Sequence, residues 1–330
     1  MRNGVYISAK YGQVFISSYK LGTEGAEGAV LQVTAFPHNQ SGYIAADYCA
    51  KLYGKQAIEG KKREQRLRKI WAMLQNPMKD GPKHAFGWPL SELKQGSVFV
   101  GFLMKRAKPG SCSLGEFVVP GAKRLDGAYF DFDTLRGRVN RLALMCNIAS
   151  GVHRLHSAGH VFVDFKPSNV LAHPTSGEIM FVDLDSMQLS EKLGKFLAPL
   201  GTPEYMPPEA YVEPADKPRN PSWDRFSMAV IFYQMITGIH PYCGTAKEFV
   251  TGVDTLEDKI KAKMYVGGVE ASKFEVIPRP HQRLVSYYPE LQPLFRQAFE
   301  GGASHRPSAE TWGKSFFELM KKAKNSSIVP

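Results

Sequence analysis

Apolar residues follow one rhythm in the first third of the chain and another in the rest. Up to about residue 104, short runs alternate with glycine-containing turns: Val14-Phe15-Ile16, Ala29-Val30-Leu31-Gln32-Val33, Ile44 to Tyr53, and Val98 to Met104. Such runs predict strands. One charged stretch, Lys61 to Leu67, interrupts them and predicts a helix. From about Thr134 the period lengthens, and Leu135, Val139, Leu142, Cys146, Ala149 and Val152 recur at helical spacing. Asp133 or Thr134 can cap that helix, and Gly159 sits where it should end. Phe226 to Ile236 is apolar on nearly every side, as a helix inside a large core should be, with Gly238 and Pro241 to stop it. The pattern predicts a small strand-rich part followed by a larger helical part, joined near Lys105 to Gly110.

Composition supports a folded chain. The 330 residues are 43% hydrophobic and 12% aromatic, enough for a substantial core. The start, Met1 to Tyr6, has no apolar run of signal-peptide length, and Met228 to Ile236, containing Gln234, is too short to span a bilayer. A soluble, cytoplasmic protein is expected. Cys49, Cys112, Cys146 and Cys243 are scattered without metal-site spacing, which argues against a zinc site or a disulfide framework. The net charge of +11 suits an acidic protein partner, nucleic acid or an anionic membrane. Basic residues coating solvated helices account for it more simply.

Candidate chemistry lies in two short segments. Val163-Asp164-Phe165-Lys166-Pro167-Ser168-Asn169 is followed, fourteen residues past its Asn, by Asp183-Leu184-Asp185. They supply a carboxylate for a nucleophile, a lysine for a phosphate, and an amide plus a second carboxylate for metal. That equipment can move a phosphoryl group from a nucleotide to a hydroxyl. Upstream, Leu21 to Val30 is a glycine-rich turn whose backbone can approach phosphates, although ordinary hairpins share that composition. About twenty residues on, Lys51 ends the run Cys49-Ala50-Lys51; a lysine in an apolar strand is costly unless it is paired or lies on an exposed edge. His153, His156 and His160 cluster without an acidic neighbour in sequence, which argues against a metal site.

These motifs resemble those of eukaryotic-like serine/threonine protein kinases, over roughly residues 14 to 320. Leu155-His156-Ser157-Ala158-Gly159, Gly201 to Glu209, Asp224 and Arg306 extend the likeness in the right order. The form Asp183-Leu184-Asp185-Ser186-Met187-Gln188 looks most like bacterial members associated with tellurite resistance or linked to helix-hairpin-helix domains. The resemblance implies an α+β, bilobal fold. Its N-lobe spans 1–104 with one regulatory helix, its hinge 105–110, and its helical C-lobe 111–330. ATP would lie between the lobes with Mg²⁺, or Mn²⁺ in its place. Nucleotide contacts would come from Gly22, Gly25, Gly28, Val30, Lys51, Met104 and Arg106. Asp164 would orient the substrate hydroxyl, Lys166 would neutralise the γ-phosphate, and Asn169 and Asp183 would hold metal. Glu64 would pair with Lys51, Asp224 would brace the catalytic loop, and Arg306 would pair with Glu209. Lys166, two residues after Asp164, favours a protein substrate with Ser or Thr acceptors.

Four positions depart from the family pattern. Thr23 stands where the first loop glycine should be, Phe162 where His is usual, Val163 where Arg is frequent, and Asp185 where Gly is usual. Without that arginine, switching through a phosphorylated activation loop is not expected. Three rivals follow: a pseudokinase that binds without turnover, a kinase-fold phosphotransferase for a small molecule, and a nucleic-acid binder using residues 61–69 and the basic tail at Lys321 to Lys324. Thermal stabilisation by nucleotide without transfer would mark the first. Phosphorylation of small molecules but not protein would mark the second, and steep salt dependence the third.

Overall fold

The computed structural model describes residues 4–22, 27–37, 42–120, 127–214 and 216–326. The chain divides into two compact units. Met1–Asp80, Phe86–Lys108 and Val182–Asp185 form the first; Gly81–Ala85, Pro109–Phe181 and Ser186–Pro330 form the second.

The first unit contains β1 (Gly4–Ser8), β2 (Gly12–Lys20), β3 (Gly28–Ala35), β4 (Tyr48–Tyr53), helix α1 (Lys61–Gln75), the end of β5 (His84–Phe86), β6 (Pro89–Gln95) and β7 (Val98–Lys105). Its strands close into an antiparallel barrel in the order β1-β2-β3-β4-β7-β6. The apolar runs of the sequence become β2, β3, β4 and β7. β1, a short run, and β6, which carries Ser91, Glu92 and Lys94, complete the ring through Ile7↔Lys94 and Ser8↔Leu93. Among the described residues, every strand of this ring pairs with a neighbour on both sides. Alternate positions point inward, so Val14, Ile16, Leu31, Val33, Leu93 and Leu103 fill the interior.

The expected strand from Ile44 to Tyr53 is shorter than its apolar run. Ala45–Asp47 forms a 3₁₀ turn in which Asp47 N–H donates to the Ile44 carbonyl, and Ile44 is exposed. Alanine and aspartate are poor strand formers. The extended backbone starts at Tyr48, whose ring packs with Tyr11, Phe36 and Tyr43.

The second unit holds β8 (Cys112–Ser113), α2 (Gly127–Phe130), α3 (Leu135–Ser157), β9 (Val170–Ala172), β10 (Ile179–Phe181), α4 (Ser222–Thr237), α5 (Leu256–Lys261), α6 (Gln282–Tyr287), α7 (Gln292–Phe299) and α8 (Ala309–Ser326). Thr134 caps α3 by accepting from Gly137 N–H. α4 is the core helix: thirteen apolar or polar residues from Trp223 to Thr237 other than Arg225 and Gln234 are buried. Gly238 ends it in the left-handed region, φ 79°. Phe232 meets Trp312 and Phe316 of α8, and Tyr233 meets Phe295 of α7. Antiparallel β9 and β10 follow the loop carrying Asp164. Among the described residues no helix is long and apolar enough to cross a membrane, and all four cysteines are free.

Candidate active site

In the second unit, the first turn of α4 delivers Asp224 into the core, where it is 1% exposed. Phe162 N–H and Val163 N–H donate to its two carboxylate oxygens at 2.7 and 2.8 Å, and His156 Nε2 lies 2.9 Å from Oδ2. Val163 has φ +68°, a strained setting for a β-branched residue. The two bonds to Asp224 over-determine it. His156, which has no acidic neighbour in sequence, therefore has one 68 residues away, the carboxylate that braces the loop.

The held backbone presents Asp164. Its Oδ1 accepts from Thr202 N–H at 2.9 Å and from the Thr202 hydroxyl at 2.8 Å. Its Oδ2 lies 2.8 Å from Lys166 Nζ, which also donates to Thr202 Oγ1 at 2.8 Å. Asn169 Nδ2 donates to the Asp164 carbonyl at 2.9 Å, which leaves the Asn169 amide oxygen as the atom suited to a cation. A carboxylate already receiving a hydroxyl bond, with an ammonium beside it, can orient an alcohol and balance charge on a phosphate.

The first unit holds the second group of residues. Val182–Asp185 belongs to it, and Lys51, 6% exposed, donates to Asp183 Oδ1 at 2.5 Å and Asp185 Oδ1 at 2.6 Å. Tyr53, on the same face of β4, donates its hydroxyl to Asp185 Oδ2 at 2.7 Å. Burial works against a charged Lys51, but the Asp185 and Asp183 carboxylates outweigh it and hold the ammonium above its usual pKa. Burial likewise opposes ionisation of Asp185, yet the Lys51 charge and the bonds from Lys51 and Tyr53 keep its carboxyl below the usual range. For Asp183, burial and the Asp185 charge raise the pKa against the pull of Lys51.

The structure corrects the expected partner of Lys51. Glu64 is exposed and pairs with Arg68 one turn along α1, at 2.8 Å. The Lys51–Glu64 pair is not made, because the face of α1 near Lys51 carries Arg66 instead. Arg66 binds Glu27 through both guanidinium nitrogens, donates to the Ala57 carbonyl, and stacks on Tyr53 with its Cζ 4.7 Å from the ring centroid.

The remaining nucleotide candidates distribute as follows. Val30 is the direct strand partner of Lys51. Gly28 packs on β4, where a Cβ would stand 2.2 Å from the Leu52 carbonyl oxygen, so only glycine fits. Gly22 is exposed, and Gly25 and Thr23 lie outside the described residues. Met104 is buried opposite Cys49, and Arg106 N–H donates to the Asp47 carbonyl. No group of three His, Cys, Asp or Glu that could hold a metal occurs among the described residues. Sequence reasoning missed Asp185, Tyr53 and Arg66 as partners around Lys51, and Thr202 at Asp164. The i, i+2 spacing of Lys51 and Tyr53 in a strand was the one available signal.

Downstream, Arg306, 4% exposed, grips both oxygens of Glu209 at 2.5 and 2.8 Å, as the resemblance implied.

Comparison with known proteins identifies the family. The protein kinase domain matches residues 134–317, more than half of the chain. The chain belongs to the protein kinase family, and mixed helix and sheet content accords with that membership. The matched span includes Asp164, Lys166, Asn169, Asp183, Asp224 and Arg306, but not Lys51. Rabbit (Oryctolagus cuniculus) serine/threonine-protein kinase 17A is 36% identical over 107 residues, covering 32% of this chain and 26% of that protein. Serine/threonine-protein kinase AtPK1/AtPK6 of Arabidopsis thaliana is 30% identical over 119 residues, or 36% and 24% of the two chains. Smooth-muscle myosin light chain kinase of Gallus gallus is 31% identical over 101 residues, or 30% and 5%. The matches thus span about a quarter or less of each relative.

Proposed function

We propose that this chain is an ATP- and Mg²⁺-dependent serine/threonine protein kinase. The observation that carries the reading is Asp164, whose carboxylate holds a hydroxyl at 2.8 Å with Lys166 beside it. Asp164 orients the acceptor hydroxyl and takes its hydrogen bond. Lys166 balances the γ-phosphate, Lys51 holds the preceding phosphates, Met104 to Ala107 line the adenine, and 105–110 is the hinge. The donor set suits magnesium, which prefers one or two carboxylates plus phosphate oxygens. Asp183, with a side chain 38% exposed, and Asn169 would hold it. When bound, the metal neutralises phosphate charge; Mn²⁺ is the alternative. Activation does not run through an arginine pocket, because Val163 stands at that position. The Asp183 to Gln188 motif is what supports a bacterial kinase of the tellurite-linked or helix-hairpin-helix-linked type.

One observation favours the second reading, a pseudokinase: Lys51 is already engaged by two carboxylates. Incubation with γ-labelled ATP and Mg²⁺, beside Asp183→Asn, separates the two. Label on Ser or Thr in the parent alone supports the kinase. Thermal stabilisation by ATP without label supports the pseudokinase.

A further inference from the structure

The partner of the phosphate-holding lysine can be read more finely, on the assumption that the kinase reading above is right. We propose that Asp185 is the positioning residue for Lys51, in place of a glutamate on α1.

Three observations converge. First, Asp185 is 3% exposed and both of its oxygens are occupied, one by Lys51 and the other by Tyr53. Lys51 and Tyr53 lie two residues apart on β4, so one face of one strand receives the carboxylate. Second, Glu64 points to solvent and is engaged by Arg68. Third, α1 offers a cation where an anion was expected. Arg66 Nη1 stands 3.9 Å from Asp185 Oδ2 while the guanidinium clamps Glu27. A carboxylate at position 66 would face Asp185 with like charge.

The charge pattern is therefore inverted. The anion that steadies Lys51 comes from the segment that carries Asp183, and the cation comes from the helix. Leu184, between the two aspartates, is fully buried, so both ends of a three-residue segment are fixed to one lysine. Lys51 is positioned by that segment, and displacement of α1 does not break its ion pair. α1 acts instead on the end of the glycine turn, through Arg66 and Glu27.

The test has two parts. On the nucleotide-free protein, melting is measured for Lys51→Met, Asp185→Asn and the double variant. The double variant should lose less than the two single losses combined, whereas Lys51→Met with Glu64→Gln should be additive. Additive losses for Lys51 and Asp185 overturn the pairing, whatever the activity.

In the second part, kcat/KM for ATP should fall about 10²-fold in Asp185→Gly, the size expected for a reacting group displaced by about 1 Å. Arg66→Glu combined with Asp185→Gly, which supplies a helix carboxylate, should recover about tenfold of that loss. Tyr53→Phe removes only the hydroxyl donor and should lower kcat/KM in the same direction, so an unstable Asp185→Gly does not spoil the test. Asp185→Gly and Tyr53→Phe both within about twofold of the parent overturn the positioning role. If the parent transfers no phosphate and equals Asp183→Asn, the kinase reading fails and the positioning role with it, while the melting result still decides the pairing.

Discussion

The two units fix a polar centre in apolar surroundings by opposite means. In the strand unit, the Lys51 ammonium is balanced by two carboxylates 132 and 134 residues away in sequence. In the helical unit, the Asp224 carboxylate is held chiefly by two backbone N–H groups, and Asp164 by Thr202 and Lys166. An ion pair needs both partners, and removing one strands a buried charge. Backbone donors are supplied by every residue except proline and do not titrate. The strand unit's centre is therefore more vulnerable to single substitutions, and the helical unit's centre more tolerant of them.

The largest expected effect separates chemistry from scaffold. Asp164→Ala should lower phosphoryl transfer by about 10²–10⁴-fold, the range for losing one positioned acid–base group. The fold should survive, because Asp224 rather than Asp164 holds the loop backbone. Initial rates beside a melting curve check both halves. A variant that unfolds would show that the helical unit depends on the Asp164 carboxylate after all.

The comparison itself is tested by neutralising one carboxylate in each unit. Asp185→Asn removes one of the two charges that balance buried Lys51, and should cost about 3–5 kcal/mol, the range for breaking a buried pair. Asp224→Asn keeps one acceptor oxygen for the two N–H donors, and should cost about 1–3 kcal/mol. Denaturant unfolding of both variants gives the order. Equal losses, or the reverse order, would remove the distinction between charge-held and backbone-held centres.

Acid offers a third probe, aimed at the helical unit. His240 is 7% exposed; its Nδ1 accepts from Tyr242 N–H, and its Nε2 lies 3.0 Å from the Glu204 carbonyl. Burial pushes its pKa down to about 4. The unfolded chain, with the ordinary value near 6.5, binds the proton first as pH falls. Stability is then complete above about pH 6.5 and lost progressively down to about pH 4, by up to ~3 kcal/mol. His240→Gln should flatten melting temperature against pH across that window. An unchanged slope would assign the loss to other groups, of which His160, also pushed down to about 4 by burial, is the first to examine.

How much of this was legible follows from sequence distance. The Asp164 to Asn169 loop, the cap at Thr134, the stop at Gly238 and the buried run of α4 each depend on neighbours within a few turns, and each could be read. The Glu209–Arg306 pair spans 97 residues and was found only through family resemblance. Asp185 as the partner of Lys51 could not be read in either way. Its position departs from the family pattern, and no local periodicity relates β4 to residue 185. β6 escaped because Ser91, Glu92 and Lys94 break up its apolar positions, and β1 because its apolar run is only Val5 to Ile7, although closure of the barrel requires both. Ile44 misled in the opposite direction, being an apolar residue that the fold leaves in water.

Glu64 yields the smallest effect. Its resemblance-based role demanded an inward-facing carboxylate, whereas the structure places both Glu64 and Arg68 side chains 68% exposed in an i, i+4 pair. Such pairs contribute about 0.3–0.5 kcal/mol and are screened by salt. Glu64→Gln should therefore shift stability by no more than about 0.5 kcal/mol at low ionic strength, fading toward zero near 1 M salt as the screening length shrinks to about 3 Å. The measurement is sharp because the competing arrangement predicts something different in kind. A Glu64 buried against Lys51 would lose several-fold more on neutralisation and would keep that loss in high salt, where exposed charges no longer interact. A salt-independent loss would place Glu64 at Lys51 and anchor the strand unit's charge-held site by helix as well as strand, widening its contrast with the helical unit.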